Sequence, residues 1–271
     1  MASPKSERAV TVSTFRAMKA HGEKIAMLTC YDYSFARLLD AAGIDAILVG
    51  DSASNVMQGN ANTLPITVEE MIYHTRCVVK GVTRPLVVID MPFGSYQGGR
   101  QLAVASAVRM MKESGAGAVK LEGGSEQGES VKAIVEAGIP VMGHLGLTPQ
   151  SIHQFGSYKV RATEDSEAER LLADAHALEL AGVFSIVLEK VPARLAAQVA
   201  KECHVPIIGI GAGAGTDGQV LVLQDMLGMT QDFAPRFLRR YANLAEACQE
   251  AFKHYMDDVK SGDFPNSQER Y

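Results

Sequence analysis

Four carboxylates, a lysine and a histidine stand where short apolar runs of this 271-residue chain end. Asp51 follows Ile47-Leu48-Val49-Gly50, Asp90 closes Leu86-Val87-Val88-Ile89, and Glu189 closes Ser185-Ile186-Val187-Leu188. Lys120 and Glu122 sit two apart in one run, and His144 ends another. Burying several unpaired carboxylates costs too much to be left uncompensated, and a divalent cation is the natural remedy. Oxygen ligands without a cluster of His or Cys favour Mg²⁺ over zinc. Each aspartate alone also reads as a helix cap or turn former; three acids at equivalent run ends shift the reading towards a shared site.

On a strand, Lys120 and Glu122 leave the same face while Leu121 points away, so the pair could hold an anion and face a cation together. The plainer alternative is a Lys–Glu pair on a solvated edge. Glu189, ending one of the most apolar runs, would be partly desolvated and so a better base near neutral pH. Pairing with Lys190 at an edge is the competing reading. His144 fits a hydrogen-bonded structural residue or a supporting place near a substrate. The glycines from Gly209 to Gly215 superficially resemble a phosphate cradle but lack the Lys-Ser/Thr ending of a P-loop; a tight turn explains them equally well.

These residues need elements that bring run ends together. A unit of helix, glycine, short apolar strand and polar residue recurs, with Gly43, Gly115, Gly138 and Gly182 as helix-ending glycines. Thr67–Glu70 and Ser166–Glu169 read as capping boxes. The expected strands are 26–30, 46–50, 86–90, 118–122, 140–143, 184–189, 207–211 and 220–223. Eight such strands alternating with helices predict a (β/α)8 TIM barrel forming one domain, with a short polar arm over Met1–Val10 and a C-terminal tail helical from Phe233 to about Lys260. The gap from Ala212 to Gln219 is too short for a full helix, so periodicity alone leaves an open doubly wound sheet as the alternative. The stretch from Leu145 to Ala162 is a candidate lid.

Composition narrows the class. The 26 Lys+Arg against 31 Asp+Glu give a net charge of −5, which argues against broad nucleic-acid binding. No apolar run is long enough to span a membrane. Cys30, Cys77, Cys203 and Cys248 are too scattered for a disulfide framework or a zinc knuckle, and point to a reducing, cytoplasmic setting.

Several segments resemble the ketopantoate hydroxymethyltransferase family, in order along most of the chain: TCYDYSFA (29–36), VGDS (49–52), TLPITVEEM (63–71), VKLEGG (119–124), GHLGLTPQ (143–150), FGSYKV (155–160), VLEKVP (187–192) and IGIGAG (208–213). The loop between the second and third of these matches less well, most of all at Asn60, Ala61 and Asn62. The resemblance implies a (β/α)8 barrel, a homodecamer, and transfer of a hydroxymethyl group from 5,10-methylenetetrahydrofolate to 3-methyl-2-oxobutanoate in pantothenate biosynthesis. It implies that Asp51, Asp90 and Glu122 bind Mg²⁺, that Ser52 and Lys120 contact the oxoacid, and that Glu189 is the base. His144 takes a supporting place. Two competing expectations are an isocitrate-lyase-like carbon–carbon lyase using Cys30, and a barrel that binds without catalysing.

Overall fold

A computed structural model describes residues 8–271; of the arm expected over Met1–Val10, residues 1–7 lie outside the described residues, and Val10 is buried with its N–H donating to Arg84 O at 2.8 Å. Contacts group the described residues into two compact units, one ending at Val222 and the other spanning Leu223–Tyr271.

The first unit is a closed barrel of eight parallel strands, so the open sheet is excluded. The strands are β1 (Ile25–Thr29), β2 (Ala46–Val49), β3 (Leu86–Asp90), β4 (Ala118–Glu122), β5 (Val141–Gly146), β6 (Ser185–Glu189), β7 (Ile207–Ile210) and β8 (Gly218–Leu221). They run in sequence order around the ring, and β8 pairs with β1. Gly43, Gly115 and Gly182 take left-handed backbone at the ends of helices Tyr33–Ala42, Arg100–Ser114 and Asp165–Ala181, where a side chain would be strained. Thr67 and Glu70 form the expected capping box of helix Val68–Gly81.

Alternate strand residues point inward. One buried cluster contains Met27, Leu48, Val88, Ala118, Met142, Val187, Ile208 and Val220 from the eight strands. Phe15 and Met18 of helix Val12–Ala20 belong to the same cluster, with Phe15 edge-on to Phe184 at 5.7 Å. They plug the end at which the strands begin. Continuing two residues along the same faces changes the chemistry: Val88 leads to Asp90, Ala118 to Lys120 and Glu122, Met142 to His144, and Val187 to Glu189. The inward rows are apolar at one end and charged at the other, which is the polarity a barrel enzyme needs.

Three expectations need correction, and a fourth holds. Strand β5 extends to Gly146 rather than stopping at 143, because His144 and Leu145 continue the ladder to β6. Ser166 is not an N-cap: helix Asp165–Ala181 starts one residue earlier, and its N-cap Glu164 makes no side-chain cap bond. The connection from β7 to β8 has no helix, as its length required; Gly213 and Gly215 press on Ala193 and Ala197 of helix Ala193–Glu202, where a Cβ would come within 2.4 and 2.6 Å of the alanine Cβ atoms. The C-terminal helix begins at Leu244, not Phe233. Pro235 interrupts the earlier stretch, since it removes an amide donor and disfavours helix in the residue before it.

The second unit contains helices Leu223–Met226 and Leu244–Ser261. Tyr241 N–H donates to Met226 O, and Leu244 N–H to Leu227 O. Along the longer helix Phe252, Tyr255, Met256 and Val259 recur at helical spacing and are all exposed.

Candidate active site

Strand register assembles the site. Asp90 on β3 stands opposite Lys120 on β4, Glu122 stands opposite His144 on β5, and Gly146 stands opposite Glu189 on β6. Asp51 follows β2 by two residues. Asp51, Asp90, Lys120, Glu122 and His144 are all buried, and Glu189 is half-buried. The structure thus brings together all six residues singled out at the run ends.

Their contacts fix them tightly. Lys120 Nζ is paired with Asp90 Oδ1. The other Asp90 oxygen accepts the Asp51 backbone N–H at 3.0 Å. His144 lies between two carboxylates, with Nδ1 3.2 Å from Glu122 Oε1 and Nε2 3.5 Å from Glu189 Oε2. Both are ion-pair separations without hydrogen-bond alignment, so Glu122 Oε1 and both imidazole nitrogens are buried with no hydrogen bond. Ser52 Oγ meets Tyr31 OH at 2.8 Å.

Electrostatics follow from burial and crowding. Burial first, and then the charges of Asp90 and Glu122, push the Asp51 carboxyl up to about 8. Burial would lower the Lys120 ammonium, but Asp90, Glu122 and Asp51 outweigh it and hold Lys120 up at about 12. Burial and Lys120 likewise oppose charge on His144, yet Glu122 and Glu189 hold it up at about 9. At neutral pH the imidazole is therefore an imidazolium between two acids.

Four carboxylates against one ammonium and one imidazolium leave two negative charges uncompensated when all are ionised. A divalent cation cancels that excess, and the unbonded Glu122 Oε1 and the raised Asp51 are what a cation-shaped gap in a buried acidic cluster would produce. Asp51, Asp90 and Glu122 supply an all-oxygen set suited to Mg²⁺.

Sequence reasoning missed the residue that ties the site together. Gln150, in the loop after β5, donates through Nε2 to Asp51 Oδ2 at 2.9 Å and to Met91 O at 3.0 Å. Its backbone N–H donates to Glu122 Oε2, and its Oε1 accepts from Tyr96 OH at 2.8 Å. Tyr96 OH also accepts the Glu122 backbone N–H at 3.1 Å. Loop residues carry no periodic signal; the only hint was that Gln150 closes the GHLGLTPQ segment.

Lys190 follows Glu189 directly and reaches towards the 145–162 stretch. Its Nζ donates to Tyr158 O at 2.6 Å, and its backbone takes a positive φ of 47°. Cys30 follows β1 and is buried, its Sγ facing Asp32 O at 3.5 Å. Burial, opposed by backbone hydrogen bonding, pushes its thiol up to about 11, so it is no ready nucleophile. Beside Glu122 and Gln150 opens a cavity of about 800 Å³, whose wall includes Phe93, Phe155, Arg161 and Arg170. Much of that wall comes from the 145–162 stretch. Arg161 is ion-paired to Glu167 and lies over the Phe155 ring at 4.2 Å.

Comparison with known proteins gives a family and a fold. The family model described as Ketopantoate hydroxymethyltransferase matches residues 9–267. The 3-methyl-2-oxobutanoate hydroxymethyltransferase of Porphyromonas gingivalis is 62% identical over 268 residues, covering 99% of this chain and 98% of that protein. The Bacteroides fragilis protein of the same name is 62% identical over 264 residues, 97% of each chain. Among solved structures, phosphonopyruvate hydrolase in complex with oxalate and Mg²⁺ superposes with a TM-score of 0.60 at 13% identity, covering 95% of this chain and 92% of that one. The 2,3-dimethylmalate lyase of the PEP mutase/isocitrate lyase superfamily gives 0.58 at 17% identity, covering 94% and 89%. At these identities the structural likeness concerns the fold.

Proposed function

Because the chain belongs to the ketopantoate hydroxymethyltransferase family, we propose that it moves a hydroxymethyl group from 5,10-methylenetetrahydrofolate to 3-methyl-2-oxobutanoate, giving 2-dehydropantoate in pantothenate biosynthesis, with Mg²⁺ as its metal. The observation that carries this reading is the buried row of acids around one lysine at adjacent strand ends.

Asp51, Asp90 and Glu122 would hold the cation. When bound, it supplies Lewis-acid stabilisation of negative charge on the keto oxygen of the oxoacid. Lys120, kept charged by Asp90, would face the substrate carboxylate, and Ser52, held by Tyr31, would donate to it. Glu189, half-buried and next to His144, would take the C3 proton. The electron pair left on C3 then forms the new bond to the one-carbon unit. The unit's carbon–nitrogen bonds to the folate break with their electron pairs left on nitrogen, while water supplies the hydroxyl oxygen and the protons that complete tetrahydrofolate. His144, fixed between Glu122 and Glu189, would orient the base and stay charged. The cavity beside Glu122 has the size of pockets that take drug-sized ligands, enough for a second substrate.

The test is proton NMR of 3-methyl-2-oxobutanoate in D₂O with Mg²⁺, followed by addition of the folate. Loss of the C3 proton signal that stops with chelator, then a hydroxymethyl signal after folate, is the expected result. Glu189→Gln should bind the oxoacid yet lose roughly 10²–10⁴-fold in turnover, the usual range for a general base. Undiminished turnover in that variant would remove Glu189 from the role.

The lyase reading is disfavoured by the buried, protonated Cys30, and the purely binding reading by the complete set of acids, lysine and base. We further read the enzyme as a cytoplasmic homodecamer. Four free cysteines support a reducing compartment, and the exposed apolar stripe on helix Leu244–Ser261 supports assembly with further copies. Among the described residues, no helix is long and apolar enough to cross a membrane.

A further inference from the structure

On the outer wall of the barrel, away from the strand ends, a second group of metal-binding side chains converges. His176 and Glu179 lie three residues apart on helix Asp165–Ala181, hence on one face. Helix Ala193–Glu202 ends against that face and is followed at once by Cys203. One ring nitrogen of His176, one carboxylate oxygen of Glu179 and Cys203 Sγ all lie within 4.8 Å of one another. We infer that His176, Glu179 and Cys203 form a Zn²⁺ site that clamps these two helices together.

The donor set selects the metal. Imidazole, carboxylate and thiolate together suit a borderline-soft, tetrahedral ion and are a poor match for Mg²⁺. The surroundings are already arranged for ligation. Glu179 Oε1 accepts the backbone N–H groups of His204 at 2.6 Å and Val205 at 2.9 Å, which fixes the carboxylate and the turn that carries Cys203. Glu202 Oε2 lies 3.4 Å from His176 Nε2, a further carboxylate beside the imidazole. His204, almost fully exposed, has Nδ1 3.5 Å from Glu179 Oε2 and can turn in as a fourth ligand. Burial and the nearby Glu179 charge push the Cys203 thiol up to about 11. The thiol proton is therefore displaced to solvent as the metal–sulfur bond forms, rather than lost beforehand.

The site is distinct from the proposed Mg²⁺ centre, and Co²⁺ reports it directly because cobalt bound to thiolate shows a near-ultraviolet charge-transfer band. The experiment titrates Co²⁺ into the full-length protein with Mg²⁺ saturating, then adds Zn²⁺. One equivalent should produce the band, Zn²⁺ should abolish it, and Zn²⁺ should raise the melting temperature. Cys203→Ser should lose the band, and His176→Ala should weaken Co²⁺ binding at least about tenfold. Both variants should retain Mg²⁺-dependent C3 proton exchange. No band with the unaltered protein, or an undiminished band in Cys203→Ser, overturns the site. Should Cys203→Ser fail to fold, the half-buried His176→Ala decides: unchanged affinity there also overturns it.

Discussion

At the scale of single residues, the site is built by setting unlike charges against burial. Asp51 and His144 are both held above their ordinary values of 3.8 and 6.5, at about 8 and about 9. A group whose folded value is raised binds its proton more tightly when folded. Its stabilising contribution is complete below the unfolded value and disappears as pH climbs through the folded one. For Asp51 the loss runs from about pH 4 to about pH 8, and for His144 from about 6.5 to about 9. Both act in the same direction. In chelator, the melting temperature should therefore fall as pH is raised from about 5 to about 9, and saturating Mg²⁺ should flatten the fall by compensating ionised Asp51. A melting temperature that held or rose over that range in chelator would refute both shifts. Sequence made the charged run ends visible because a polar residue after apolar ones breaks a pattern. It did not reveal Gln150, Tyr96 or Tyr31, whose roles depend on loop paths that bring residues far apart in sequence, such as Gln150 and Asp51, within 2.9 Å.

Elements decide where those charges point, and the seam between β5 and β6 shows how little slack they leave. Gly146 has a φ of 90°, and a Cβ there would lie 2.3 Å from Glu189 O and 2.7 Å from Val191 Cγ1. Just beyond it, Leu147 N–H donates to the same Glu189 oxygen at 2.9 Å. Gly146→Ala would therefore push directly on the backbone of the proposed base, besides straining its own. We expect that variant to lose well over half its folded yield, or to fold with slowed C3 proton exchange, and thermal denaturation with the D₂O assay would show which. Native stability and rate together would show that the seam can relax. Strand positions were legible because continuous Val/Ile/Leu runs mark buried parallel strands. Helix starts were less so. Ser166 resembled a cap because a hydroxyl followed three residues later by Glu fits the motif, whereas the helix had already begun at Asp165. Register was not legible at all, and it is register that sets Asp90 beside Lys120 and Glu122 beside His144.

At the scale of the whole molecule, the barrel class followed from counting eight alternating units, and the short β7–β8 connection that argued against closure is accommodated by close packing on helix Ala193–Glu202. Oligomerisation had no pattern in the sequence. The longer helix of the second unit leaves Phe252, Tyr255, Met256 and Val259 exposed, a stripe expected to be covered by another copy. Replacing Phe252 and Tyr255 together by Glu should shift the sedimentation coefficient to a smaller species with the melting transition of the barrel preserved; an unchanged coefficient would exclude that stripe as a contact. The charge balance of the chamber has a further consequence for the order of events. An oxoacid arrives as an anion, and a pocket with surplus carboxylates repels it. With a divalent ion held as proposed, the same pocket would no longer repel it. On the proposed reading, the acids of the metal seat would thus also act as a gatekeeper, favouring arrival of metal before substrate without any moving part.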